Sequence, residues 1–201
     1  KMIAYLKAFG AKHNLETKVD EAGNVLIKKP ATPGKENLQT VVLQSHIDMV
    51  CEKNNDVQHD FLTDPIETEI DGEWLKAKGT TLGADNGIGV ATELAILADD
   101  SIEHGPLECL FTVDEEIGML GAAALDMSPL KARTMLNMDS EDEGYLLVSC
   151  AGGLTAKAHL PVKRDSVTDV SYMQLAVTGL LGGHSGVEID KGRANANIML
   201  G

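Results

Sequence analysis

Residues 39–48 read Gln-Thr-Val-Val-Leu-Gln-Ser-His-Ile-Asp, a short apolar run that breaks into a histidine and an aspartate. By length and aliphatic content the run predicts a buried strand rather than a helix. The same grammar returns downstream. Leu110-Phe111-Thr112-Val113 leads into Asp114-Glu115-Glu116, and Met135-Leu136-Asn137-Met138 leads into Asp139. A fourth polar pair, Asp85-Asn86, precedes the clearest helical pattern, residues 87–98, where Ile88, Ala91, Leu94 or Ala95, and Ala98 recur at helical spacing. Strands alternating with helices predict an α/β fold with a mixed, largely parallel sheet flanked by helices. In open sheets of this class ligands bind beyond the carboxyl ends of the strands, so groups from separate strands can converge on one point.

Working outward, residues 1–13 have helical spacing with Ile3, Leu6 and Phe9 on one face, and residues 17–29 read as a hairpin turning at 21–24. Residues 66–78 suggest a second hairpin turning at Asp71-Gly72. Residues 107–113 and 134–138 read as buried strands, and 120–125 as a short helix. From Gly152 onward the character changes: 154–162 and 173–178 alternate apolar and polar, as antiparallel strands with one wet face do. The polar stretch Lys163-Arg164-Asp165-Ser166 places a boundary near 163–171, and Arg193 begins a helix. That is too little for a second domain, and the chain starts at Lys1 without an initiator Met, so a fragment with an upstream segment missing is expected.

Twenty glycines against six prolines, 43% hydrophobic residues and a mean hydropathy of -0.06 fit a folded chain that packs aliphatic rather than aromatic side chains. The formal charge of -14 runs against nucleic-acid binding, which needs clustered Lys and Arg. The acid excess reads as solvated surface, with a minority available as metal ligands; composition does not separate the two. Cys51, Cys109 and Cys150 form no CxxC, and the last two sit in apolar runs, so buried thiols in a reducing cytoplasm are expected. No run approaches the ~20 apolar residues that span a bilayer.

Singly, each polar cluster has an ordinary reading. His46-Ile-Asp48 is a surface or capping pair, Asp85 an N-cap, and Asp114-Glu115-Glu116 a solvated loop. The stretch opening at Asp139 superficially resembles a calcium loop, but its twelfth position is Cys150 rather than a bidentate Glu. Together the residue types suit zinc, which takes imidazole nitrogen and carboxylate oxygen. Two such ions share a bridging carboxylate and need a separate base. His46, Asp85, Glu116 and Asp139 can supply ligands, leaving Glu115 free. Residues 83–89 do not match GxGxxG, and no GxSxG elbow occurs.

Gln44-Ser-His46-Ile-Asp48-Met-Val50, Thr81-Leu-Gly-Ala-Asp85-Asn-Gly-Ile-Gly89, Asp114-Glu115-Glu116-Ile-Gly118, Asn137-Met-Asp139-Ser-Glu141 and Gly182-Gly-His184-Ser-Gly186 follow in order. The set resembles the co-catalytic zinc peptidases of the carboxypeptidase G2 and aminoacylase type. Within that family it is most similar to the bacterial aminoacyl-histidine dipeptidases (peptidase D, carnosinase-like). The resemblance covers nearly the whole chain, but only the front part of such a protein. It implies that residues 1–165 are the front of a catalytic metal-binding domain and 166–201 the beginning of an α+β lid or dimerisation domain. It implies two zinc ions, replaceable by cobalt or manganese: His46 and Asp139 on one, Glu116 on the other, Asp85 bridging. Glu115 would be the general base, Asp48 would orient His46 through its other ring nitrogen, and the Asp85–Asn86 peptide would be cis. His184, on the lid, would bind the substrate carbonyl, often across a homodimer; Asn195 and Asn197 are minor candidates nearby. His13, His59, His104 and His159 read as surface or packing residues.

The implied activity is hydrolysis of dipeptides of X-His type by a zinc-activated water, on small peptide substrates in the cytoplasm, with no nucleic-acid or membrane partner. A related N-acyl amino acid deacylase, a broader aminopeptidase and a non-catalytic metal-binding or dimerisation module are the alternatives. In the family a histidine near the C-terminus completes the second zinc site. This chain ends before it, so the expectation is one ion held well, the other poorly, and little activity from the chain alone.

Overall fold

The structure is a computed structural model, and it describes residues 1–140, 144–150, 152, 154, 156–183 and 188–201. The chain divides into two compact units, Lys1–Cys150 and Ala151–Gly201. The first opens with α1 (Met2–Lys12), built from good helix formers and presenting Leu6 inward. A hairpin follows, β1 (Glu16–Val19) and β2 (Val25–Lys29), paired antiparallel. Its turn is held by Asp20, whose carboxylate accepts the Asn24 backbone N–H at 2.8 Å and the Asn24 side-chain amide at 2.8 Å.

Next come β3 (Val41–His46), a separate two-stranded hairpin of β4 (Thr68–Asp71) and β5 (Trp74–Ala77), and α2 (Ala84–Ala98). The unit is completed by β6 (Leu107–Thr112), a short α3 (Leu120–Ala123) and β7 (Thr134–Asn137). The main sheet has the order β1-β2-β6-β3-β7, with β3 parallel to both β6 and β7, and β2 antiparallel to β6. The fold is therefore the mixed, centrally parallel α/β sheet that the sequence predicts. Because β3, β6 and β7 run the same way, their carboxyl ends open onto one rim, and the loops carrying His46, Glu115 and Asp139 leave from it.

One face of the sheet packs under the helices: Leu6, Val25, Ile27, Leu43, Val90, Leu97, Cys109 and Phe111 form a continuous core. Each fully buried aliphatic side chain of this kind contributes roughly 1.5–3 kcal/mol. The opposite face carries a smaller cluster, Leu26, Val42 and Leu110, covered by Leu125, Leu130 and Ala132. Glu108 stands on this second face beside Lys28. Its carboxylate takes the Lys28 ammonium at 2.8 Å and the backbone N–H groups of Lys131 and Ala132 at 3.0 and 3.1 Å.

In several places the elements differ from the sequence expectation. The buried stripe of α2 is Asn86, Gly89, Val90, Glu93 and Leu97, whereas Ile88 is 70% exposed. A buried glutamate breaks the apolar period and shifts the apparent face. Among the described residues β7 is an edge strand, and Met135 and Leu136 are exposed instead of buried. Cys150 is exposed, Cys109 buried, and all three cysteines are free. The described residues of 154–162 and 173–178 form no strand. Alternation supplies a face, but a strand exists only where a neighbour takes its peptide groups, and no described residue pairs with either stretch. In the second unit α4 (Ala196–Leu200) is capped by Asn195, whose side chain accepts the N–H groups of Asn197 and Ile198. Among the described residues no helix is long and apolar enough to cross a membrane.

Candidate metal centre

His46 closes β3 with 1% of its surface exposed. Its Nε2 lies 2.9 Å from Asp85 Oδ1 and 3.6 Å from Asp139 Oδ1. Its Nδ1 donates to the Asp48 carbonyl oxygen at 3.0 Å. That bond fixes the ring so that Nε2 faces the carboxylates, the orientation in which a histidine ligates a cation. The Asp48 carboxylate lies near the same ring nitrogen, Oδ1 at 3.5 Å from Nδ1, and also holds the loop after β6: one oxygen accepts the Glu115 N–H and the other the Glu116 N–H, both at 3.1 Å. Asp48 thus meets the Nδ1 side of His46 with both its carbonyl and its carboxylate, and the carboxylate also anchors the loop after β6.

Two groups of donor atoms converge within 4.8 Å of one another: His46 with Asp85 and Asp139, and His46 with Glu115 and Glu116. Four of these five residues arrive from the rim of the sheet, at the ends of β3, β6 and β7; Asp85 comes from the start of α2. There Gly83 adopts a left-handed φ of 79°, Asp85 and Asn86 are non-helical, and the peptide between them is cis. Asn86 is 2% exposed and turns back into the site, donating to Asp139 Oδ1 at 2.8 Å and accepting the Gly89 N–H at 3.1 Å. A Cβ at position 89 would sit 2.1 Å from Asn86 Oδ1, so any side chain there would displace the Asn86 amide.

Asn86 is a site residue that the sequence reading left without a role. Asn137 is another: its side chain accepts the Asp139 N–H at 3.2 Å and donates to Gln44 Oε1 at 2.7 Å, tying β7 to β3 beside the site. Both asparagines neighbour a ligand candidate in sequence, which was the available signal. His184 lies outside the described residues.

The electrostatics favour a cation. Burial raises the Asp139 carboxyl, and its neighbours Asp85 and Glu115 raise it further against the opposing pull of His46, to about 6. Glu116 is raised by burial first and then by the Asp85 charge. For His46, burial lowers the pKa, but Asp85 and Asp139 outweigh it and hold the ring above its ordinary value. Carboxylates crowded this closely cling to protons unless a positive charge joins them. Imidazole plus oxygen donors, with Nε2 aimed inward, is a set that fits zinc. A cavity of about 800 Å³ adjoins the site, with His46, Asp48 and Asp114 on its polar side and Met49, Phe61, Leu62 and Val113 among its apolar walls.

Residues 42–145 match the family described as Peptidase family M20/M25/M40. The chain is 50% identical over 197 residues to the cytosol non-specific dipeptidase of Escherichia coli (strain K12), covering 98% of this chain and 41% of that protein. A crystal structure of aminoacylhistidine dipeptidase from Vibrio alginolyticus superimposes with a TM-score of 0.70 at 42% identity, over 99% of this chain and 41% of that one. The aminopeptidase PepT of Bacillus cereus aligns with a TM-score of 0.59 at 27% identity, over 71% of this chain and 38% of that one. The chain spans about two fifths of the length of these relatives.

Proposed function

The chain belongs to Peptidase family M20/M25/M40, and on that premise we propose that the whole protein is a metal-dependent dipeptidase. The observation that carries the reading is the meeting of His46 with carboxylates from α2, the β6 loop and the end of β7. In this assignment His46 and Asp139 would hold one zinc ion and Glu116 a second, with Asp85 shared between them. Zinc held there would supply a Lewis acid for the scissile carbonyl and for deprotonation of water.

Glu115 takes the proton from the attacking water and delivers it to the leaving amine. Asp48 keeps Glu115 and Glu116 in place through their N–H groups. Asn86 and Asn137 steady Asp139. Residues 1–165 are assigned to the front of the catalytic domain and 166–201 to the start of a lid or dimerisation domain. His184 on that lid is assigned to the substrate carbonyl within a cytoplasmic homodimer. The names of the Escherichia and Vibrio relatives support a dipeptide substrate, and the Vibrio one favours X-His.

The test is Glu115→Gln in the whole protein. Both ions should remain bound by elemental analysis, while kcat falls by about two to four orders of magnitude. Turnover retained in that variant removes Glu115 as the base. Turnover of wild type that chelators leave unchanged removes the metal.

A further inference from the structure

Glu93 sits on the inner stripe of α2 with no exposed surface, between Val90 and Leu97. It faces Ser45 of β3 and Cys109 of β6, both also wholly buried. Among the described residues, neither Glu93 carboxyl oxygen nor Ser45 Oγ has a hydrogen-bond partner of ordinary geometry. Buried polar atoms are hydrogen-bonded almost without exception. These three oxygens, enclosed by apolar neighbours, can be satisfied by one another or by a water held between them.

Among the described residues no cation acts on the Glu93 carboxyl. From β2, Lys29 acts on Cys109, and its Nζ is already bonded to the Ile96 and Asp99 carbonyls at 3.1 and 2.7 Å. β3 contributes Ser45 and Leu43, β6 contributes Cys109 and Phe111, and α1 contributes Leu6 to the same core. A carboxylate there would be an isolated buried ion, so the group keeps its proton; burial pushes the acid up to about 8. The location matters because α2 begins at Asp85 and Ser45 directly precedes His46.

We propose that Glu93 is a positioning residue of the metal centre, a neutral acid that hydrogen-bonds Ser45 and so docks the helix carrying Asp85 onto the strand carrying His46. The Glu93 O–H donates to Ser45 Oγ, and the Cys109 thiol, kept protonated by burial, donates to the other carboxyl oxygen. The inference rests on the metal-centre reading above.

The experiment uses the whole protein, with zinc affinity measured by chelator competition and the cobalt absorption spectrum as a reporter of ligand geometry. Glu93→Met, similar in volume but unable to hydrogen-bond, should weaken zinc about tenfold or more and alter the cobalt spectrum. Glu93→Gln, a neutral isostere, should restore both. In chelator-stripped protein, the wild type should lose Tm relative to Glu93→Gln as pH rises from about 4.5 to about 8, because the unfolded chain releases a proton that the folded one retains. Ser45→Ala, a small change, should reproduce the affinity loss even where Glu93→Met fails to fold.

Zinc bound as tightly by Glu93→Met or Ser45→Ala as by wild type overturns the proposal, as does a Tm difference that does not vary with pH. A wild type that takes up no divalent ion sinks the metal centre and this inference together. Peptide hydrolysis is not read, so an inactive wild type that still binds zinc overturns the dipeptidase reading alone.

Discussion

Asp48 divides its labour between backbone and side chain. The carbonyl receives His46 Nδ1, while the carboxylate receives two consecutive N–H groups of the loop that carries Glu115 and Glu116. Removing that carboxylate leaves both N–H groups half-buried without an acceptor. Asp48→Ala should therefore weaken zinc by about tenfold or more in a competition assay, even though Asp48 is assigned no bond to the ion. Asp139 gives a pH prediction. With its carboxyl raised to about 6, it binds a proton below that value and competes with the cation. Apparent zinc affinity should fall as pH drops through about 6, read by titration at pH 5 to 8; an affinity flat across that range would exclude Asp139 as a ligand. At this scale the acids and His46 that the structure brings together stood out because they end apolar runs or, for Asp85, open a helix. Asn86 and Asn137 were not, because an asparagine beside an acid looks like ordinary turn chemistry until its amide is seen on Asp139.

Among the elements, β6 shows how a strand can hold the loop opposite. Glu108 is buried yet keeps its pKa low: burial raises it, and the bonds from Lys28, Ala132 and Lys131 more than compensate. Its folded pKa lies below the unfolded value, so the stabilisation is present above about pH 4.5 and fades as acid protonates the folded carboxylate. Glu108→Ala strands the Lys28 ammonium and the loop N–H groups, and should cost about 3 kcal/mol of stability at neutral pH by denaturant unfolding. The Glu108→Ala penalty should shrink toward pH 4. Strands β2, β3 and β6 could be read from the sequence because each is a short aliphatic run buried on the sheet. The face of α2 could not, since Glu93 occupies a position that the helical period reserves for an apolar residue. β7 looked like its buried siblings, and only the sheet order reveals that, among the described residues, it pairs on one side alone. The stretches 154–162 and 173–178 carry strand-like alternation without a partner among the described residues, and pairing between distant segments is not written locally.

For the molecule as a whole, the main sheet and the family to which it belongs were legible because apolar runs and polar endings repeat in register along the chain. Substrate choice was not, since no single motif encodes the pocket. A panel of X-His dipeptides, other dipeptides and N-acyl amino acids, assayed on the whole protein, should show fastest turnover on X-His. Equal rates across all dipeptides would instead match the broad specificity named for the Escherichia coli relative. Sedimentation should give twice the protomer mass if the proposed lid dimerises; a monomer would take His184 out of any role across subunits. The central position of β3 has one more effect. Ser45 and His46 leave opposite faces of a strand locked to β6 on one side and β7 on the other. The strand then behaves like a reading frame: deleting any one residue between 41 and 44 would carry the histidine into the position Ser45 holds, under α2, and leave Ile47 in its place at the rim. Length changes should be tolerated in the 49–80 excursion and be ruinous within those few positions, so a scan of single-residue deletions would outline the rim that carries His46 without any assay of chemistry.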